Sequence, residues 1–324
     1  MTDTELSQIA AIAKADLPAA YQSADHAASD SRRNYLRLVW ADLALILLGS
    51  IVTSWAIEAQ NSRATLAIVG AVALGLGSLL TLTIRVSDFD KVWFGARAIA
   101  ESIKTLAWRY MTGADPYSSS LTSQGVDERF CAEVARILQE RRHLGASPTG
   151  SEALADQITA TIRMIREQGT ETRKGIYLRD RIRNQQAWYA LRGQANKNSA
   201  TRWLVAIAIC QALAVVAAIL LVRWPEFNLN LASILSSLAA VLLAWLQVRR
   251  HQELAHAYGL ASHELGLVLA REKYVQTEGE LSDFVGDAEN AISREHTMWL
   301  ARRDNLLLRR GRGERRSTWL RRLG

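Results

Sequence analysis

The sequence predicts an all-α membrane protein: two transmembrane helical hairpins, four spans in all, carrying long cytoplasmic amphipathic helices. Three observations predict it. Apolar residues, 49% of 324, gather in four blocks instead of spreading through the chain. Basic residues flank the outer ends of each pair of blocks, while the turn inside each pair holds a single arginine. Elsewhere apolar residues recur at steps of three and four, and no stretch alternates as a strand would.

Span one covers about Leu36 to Ile57 and span two about Ala64 to Ile84. Span three covers about Trp203 to Val222 and span four about Leu231 to Val248. Each approaches the roughly 20 residues that cross ~30 Å of hydrocarbon at ~1.5 Å per residue. Residues 1–31 are polar and contain no cleavable leader, so span one reads as a retained anchor. Arg32, Arg33 and Arg37 precede span one, and Arg85, Lys91 and Arg97 follow span two. Arg192, Lys197 and Arg202 precede span three, and Arg249 and Arg250 follow span four. The bias of basic residues toward the cytoplasmic side puts both termini and the central linker inside the cell.

Both halves follow one plan of span, tight turn, span and departing amphipathic helix, an internal repeat of about 160 residues. Val92, Ala96, Ile99, Ile103, Leu106 and Tyr110 form the stripe after span two, and Leu254, Tyr258, Ala261, Leu265 and Val268 the stripe after span four. Gly145-Ala-Ser-Pro-Thr-Gly-Ser combines breakers with a capping serine and divides the chain into units 1–150 and 151–303, followed by a basic tail, 304–324. Further helices are expected over residues 4–29, 126–143, 151–195 and 280–303.

Within the spans, Gly70, Gly75, Gly77 and Ser78 make span two rich in small residues, and Ala71 with Gly75 and Ala73 with Gly77 stand four apart. Such spacing suits close helix contact, either inside the hairpin or around a pore. Asp42 either lines a cation path or sits at the membrane boundary near Arg37, since a carboxylate deep in hydrocarbon is costly. Gln211 with Ser233, Ser236 and Ser237 makes a polar stripe, although serines also bond back to their own helix. Arg97 and Glu101 stand four apart and can pair. His251, His256 and His263 lack the convergent set of three or four ligands that a metal needs. No nucleophile motif, phosphate loop or carboxylate pair accompanies them, so neither an enzyme nor a bound cofactor is expected.

The stretch Trp93-Phe-Gly-Ala-Arg-Ala-Ile-Ala-Glu-Ser-Ile-Lys-Thr-Leu-Ala-Trp-Arg-Tyr, followed by Asp115-Pro-Tyr, resembles the post-hairpin helix of the SLATT family. That family comprises two-transmembrane effector domains associated with SMODS and SLOG proteins. Ile292-Ser-Arg-Glu-His-Thr-Met-Trp resembles its closing motif, here following the second hairpin. The likeness covers about residues 30–117 and 170–303, and its motif residues are Trp93, Arg97, Glu101, Trp108, Tyr117, Glu295, His296 and Trp299.

The resemblance implies a tandem of such domains in the bacterial inner membrane. It further implies an oligomeric effector that forms a pore or perturbs the membrane, gated from the cytoplasm in a conflict system linked to nucleotide signalling. A SMODS nucleotidyltransferase or a SLOG protein is the implied partner. The alternative is a non-conducting scaffold that docks a cytoplasmic partner which senses or synthesises nucleotides.

The tail from Arg302 carries nine arginines, among them Arg309, Arg310, Arg312, Arg315, Arg316, Arg321 and Arg322, interleaved with Trp319 and leucines. At about 1 kcal/mol per basic residue near an anionic surface, half of them are enough to hold the tail on the inner leaflet. The net charge of +7 is therefore local, and nucleic acid is a disfavoured partner.

Overall fold

The computed structural model describes residues 10–58, 62–87, 89–140, 156–224 and 230–293. Among them there is helix and turn and no strand, in keeping with the all-α expectation. The first hairpin is α1 (Ala19–Glu58) and α2 (Arg63–Val86). It leads into α3 (Phe89–Thr112) and α4 (Ser123–Glu140). Two short helices follow, α5 (Ala160–Arg166) and α6 (Thr170–Tyr177), then a π turn at Leu178–Arg183. The second hairpin is α7 (Asn184–Arg223) and α8 (Leu231–Arg249), followed by α9 (His251–Leu269) and a helix α10 over 278–293. Four helical stretches are long and apolar enough to cross a membrane, one for each predicted span.

Three element boundaries differ from expectation. Residues 4–9 of the N-terminal helix expected over 4–29 lie outside the described residues; from residue 10 on, helix begins at Ala19, because Pro18 supplies no N–H and a separate 3-10 turn occupies Lys14–Asp16. The single helix expected over 151–195 is broken between α5 and α6, where Gly169 adopts an extended conformation as the N-cap of α6. The chain also breaks between α8 and α9 at Arg250, whose φ of 49° puts a bulky residue in the left-handed region.

The described residues form two compact units that cut across the halves of the chain. One comprises residues 10–28, 94–140, 156–189 and 260–293, and is called the core unit. Its apolar centre takes Tyr21 from α1, Ile99, Ile103 and Met111 from α3, and Phe130 from α4. Ile162 of α5, Ile176 of α6 and Phe284 of α10 complete it, so both halves of the sequence build a single core. The stripe predicted from Val92 to Tyr110 is the reason: its inner members Ala96, Ile99, Ile103 and Tyr110 are at most 1% exposed.

The other comprises residues 29–58, 62–87, 89–93, 190–224 and 230–259, and is called the span unit. It has little interior. Ile207 of α7 meets Ala239 and Leu246 of α8, with Trp203, Cys210 and Leu242 packed around them. In the apolar window of each span only 11–17% of residues are buried, so most of each span faces outward, as helices dissolved in hydrocarbon do.

Candidate functional site

In the span unit the small residues of α2 meet α1 on one face. A Cβ placed on Gly70 would stand 2.6 Å from the Thr53 hydroxyl and 3.4 Å from the Thr53 nitrogen. On the facing helix, a Cβ on Gly49 would stand 2.7 Å from Leu74 Cγ and 3.3 Å from the Gly70 carbonyl. Thr53 itself donates back to the Gly49 carbonyl at 2.6 Å, as hydroxyls in apolar helices do when water is absent. Gly77 sits one step looser, its Cβ position 3.5 Å from Ile46 Cγ1. Gly75 belongs to the opposite face, where a Cβ would meet nothing within 4 Å. Ser78 is exposed and donates to the Leu74 carbonyl at 3.0 Å.

Asp42 accepts a hydrogen bond from Thr81 of α2 at 2.9 Å, an anchor within the first hairpin. The two hairpins are joined by Ser50 and Ser237, whose hydroxyls stand 2.7 Å apart. They are joined again by Trp40 and Trp245, with ring centroids 5.8 Å apart. Ser233 offers its backbone N–H to the capping Asn230 side chain at 3.0 Å. Gln211 lies exposed on α7 near the middle of span three. His251 is buried and bonded to Asn196 at 2.7 Å. Trp93, at the start of α3, stacks with Arg32.

The core unit holds charges in its interior. Arg97 pairs with Glu101 at 2.6 Å and with Asp25 of α1 at 3.1 Å, and Lys14 reaches Asp25 at 2.6 Å. One turn further in, Arg181 of the π turn and Glu289 of α10 are joined by two hydrogen bonds, and their side chains are at most 1% exposed. Glu289 also accepts from the Tyr177 hydroxyl at 3.0 Å and the Thr105 hydroxyl at 2.7 Å. Burial, then the charge of Glu289, hold the Tyr177 hydroxyl well above the ordinary tyrosine range. Lys104 lies between these pairs with its ammonium 5.9 Å from the centre of the Tyr21 ring. Burial, then repulsion from Arg181, push it down from 10.5 to about 8.

A second set of arginines closes the end of α3. Arg166 donates to the carbonyls of Tyr110, Tyr117 and Ser118 at 2.7, 2.9 and 3.0 Å. Arg173, 4% exposed, donates to the Thr112 and Gln168 carbonyls and to Glu278. Cationic donors are the natural partners for helix carbonyls left without an N–H. Trp108 and Tyr117 are core aromatics, the first edge-on to Tyr177 at 5.5 Å and the second 5.9 Å from Phe130.

Sequence reasoning finds Arg97 with Glu101 and misses Asp25, Arg181, Glu289 and Arg173. A signal exists for two of them. Glu289 sits three residues before Ile292 and four after Val285 on an apolar stripe, and Arg181 sits four residues after Tyr177 and three after Leu178, both buried. A charge on the buried face of a helix requires a buried partner. Glu295, His296, Trp299 and the tail arginines lie outside the described residues.

Residues 18–174 match the family described as SMODS and SLOG-associating 2TM effector domain 3. Residues 177–299 match SMODS and SLOG-associating 2TM effector domain 1. No curated protein and no solved structure matches the chain.

Proposed function

Because the chain is two SLATT domains in tandem, each a two-transmembrane effector unit, we propose that it is a membrane effector whose copies assemble through their spans and open a path across the inner membrane. The observation that carries this reading is Gln211. An amide exposed near the middle of an apolar span is costly in lipid, and the cost disappears when it faces another copy or a water-filled path. The sparse burial of all four spans supports the same reading, since one chain uses little of its helix surface on itself.

Chain connectivity supports gating from the cytoplasmic side. The chain passes between core unit and span unit at 28/29, 93/94, 189/190 and 259/260, and those points fall inside α1, α3, α7 and α9. A shift of these helices within the core unit is thereby carried into spans one and three and into the segments that follow spans two and four. The family's description links such domains to SMODS and SLOG proteins, so a nucleotide-derived signal made or sensed by a partner of that kind is the trigger this reading calls for. The charge bias around the spans supports a cytoplasmic position for both termini on this reading.

The test is membrane potential and propidium entry in bacteria expressing the intact protein, the Gln211→Leu variant, and a chain ending at Arg302. Depolarisation by the intact protein that Gln211→Leu abolishes supports the assembled path. Loss on truncation assigns the arginine-rich tail to membrane engagement. Normal potential with confirmed membrane insertion, with and without a co-expressed nucleotidyltransferase partner, favours the scaffold. The large core shared by both halves would suit that role as a docking body.

A further inference from the structure

Five side chains of the span unit lie at the span ends remote from the two tight turns. Arg32, four residues before span one, lies over the Trp93 ring with its guanidinium carbon 5.6 Å from the centroid. Arg249, the last residue of α8, lies over Trp245 at the same 5.6 Å. Trp245 in turn packs against Trp40 of α1. Arg32 stands eight residues before Trp40 on α1 and Arg249 four residues after Trp245 on α8, so both arginines lie on the side of this indole contact remote from the tight turns.

Among the described residues neither arginine has a carboxylate partner. The acids close by in sequence are engaged elsewhere: Asp30 with Arg33 at 2.9 Å, Glu253 with Arg250 at 3.9 Å, and Asp42 with Thr81. Stacking on an indole uses the face of a guanidinium and leaves its edge free, and that edge carries five N–H donors in one plane. Two such edges match an anion of several oxygens and at least one full negative charge. Phosphate fits that description, and guanidinium binds it through paired hydrogen bonds.

The depth of the pair narrows the source of the phosphate. Arg249 closes an apolar span, Arg32 stands just outside another, and Trp40, 55% exposed, adjoins them. Indoles and arginines at that level belong to the headgroup layer of a bilayer. We propose that Arg32 and Arg249 form a clamp for the phosphate of an anionic phospholipid, with Trp40, Trp93 and Trp245 as its walls. The clamp rests on the spans lying in a bilayer and is independent of any pore and of the arginine-rich tail.

The test uses the full chain in zwitterionic detergent micelles, following thermal unfolding as phosphatidylglycerol, phosphatidylcholine or inorganic phosphate is added. Phosphatidylglycerol is expected to raise the midpoint of the wild-type chain, and phosphatidylcholine and inorganic phosphate to leave it unchanged. In Arg32→Gln/Arg249→Gln the lipid dose giving half the effect should rise about tenfold, the scale of one lost charge-assisted contact. A control pair in the same charged layer, Arg85→Gln/Arg202→Gln, should respond as wild type. Arg32→Lys/Arg249→Lys, which keeps charge and loses the planar fork, should fall between, and it stands in if the glutamine variant does not fold. Equal lipid response in the wild-type chain and the clamp variants overturns the proposal. Stabilisation by inorganic phosphate through the same arginines overturns the lipid assignment. Recovery of the expressed protein in the soluble fraction would instead remove the bilayer placement on which both rest.

Discussion

Arg181 and Glu289 face each other inside the core unit through two parallel hydrogen bonds, Nε to Oε1 at 2.8 Å and Nη2 to Oε2 at 2.7 Å, with essentially no exposure of either side chain. The pair ties the π turn to α10, and Tyr177 and Thr105 complete the carboxylate's hydrogen bonding. Removing one partner strands the other charge without water. Glu289→Ala is expected to lower stability by about 3–5 kcal/mol, while Arg181→Met/Glu289→Leu, which removes both charges, costs much less. Denaturant unfolding of the solubilised chain, read by tyrosine and tryptophan fluorescence, checks the difference between the two variants.

Lys104 carries a pH dependence whose sign is determined. Its amine is held at about 8 in the folded chain against 10.5 in the unfolded one, so between those values the unfolded state binds the additional proton. Stability should therefore rise with pH across that window, and the advantage is lost as pH falls through about 8. Lys104→Met should flatten the profile between pH 8 and 10.5 and raise stability at pH 7. A slope of unfolding midpoint against pH unchanged in the variant would refute the assignment.

Gly113 has a φ of +72° and borders the Arg173 guanidinium that closes α3. Gly113→Ala meets both a left-handed backbone and that guanidinium, and should destabilise the core unit by about 1–3 kcal/mol. Gly169→Ala, in an extended conformation with nothing near its Cβ position, is the matched control and should be near neutral. Thermal unfolding of the two variants side by side tests the contrast.

Gly70 and Gly75 separate packing inside one chain from packing between chains. Gly70→Leu drives a side chain into Thr53 and is expected to cost about 1–3 kcal/mol through overpacking of the first hairpin. Gly75→Leu enters open space within the chain. If Gly75→Leu leaves thermal stability unchanged yet shifts the assembly seen by crosslinking in membranes, that face of α2 meets another copy.

Ser50 and Ser237 test the pairing of the hairpins. Ser50→Cys/Ser237→Cys should form a disulfide within one chain on oxidation, because hydroxyls 2.7 Å apart show that the two side chains point at each other. A faster-migrating monomer band on a non-reducing gel is the expected result. A covalent dimer in its place would mean that the hairpins exchange between copies.

The four spans are legible from hydropathy alone because crossing a bilayer is a property of length and apolarity along one segment, and no distant residue alters it. The amphipathic stripe of α3 is legible for a similar reason, since helical spacing displays its buried face. Arg97 with Glu101, four residues apart, could be paired on the page; Arg181 with Glu289, 108 residues apart, could not. Periodicity shows that a charge lies on a buried face and carries no information on which helix supplies its counter-charge. The same limit hid the shared core. The sequence repeats one plan twice, and nothing local says whether two copies fold side by side or pool their apolar stripes. The pooled arrangement followed once α3 and α4 of the first half and α5, α6 and α10 of the second enclosed Tyr177, Phe130 and Phe284 together, a burial that only long-range packing supplies.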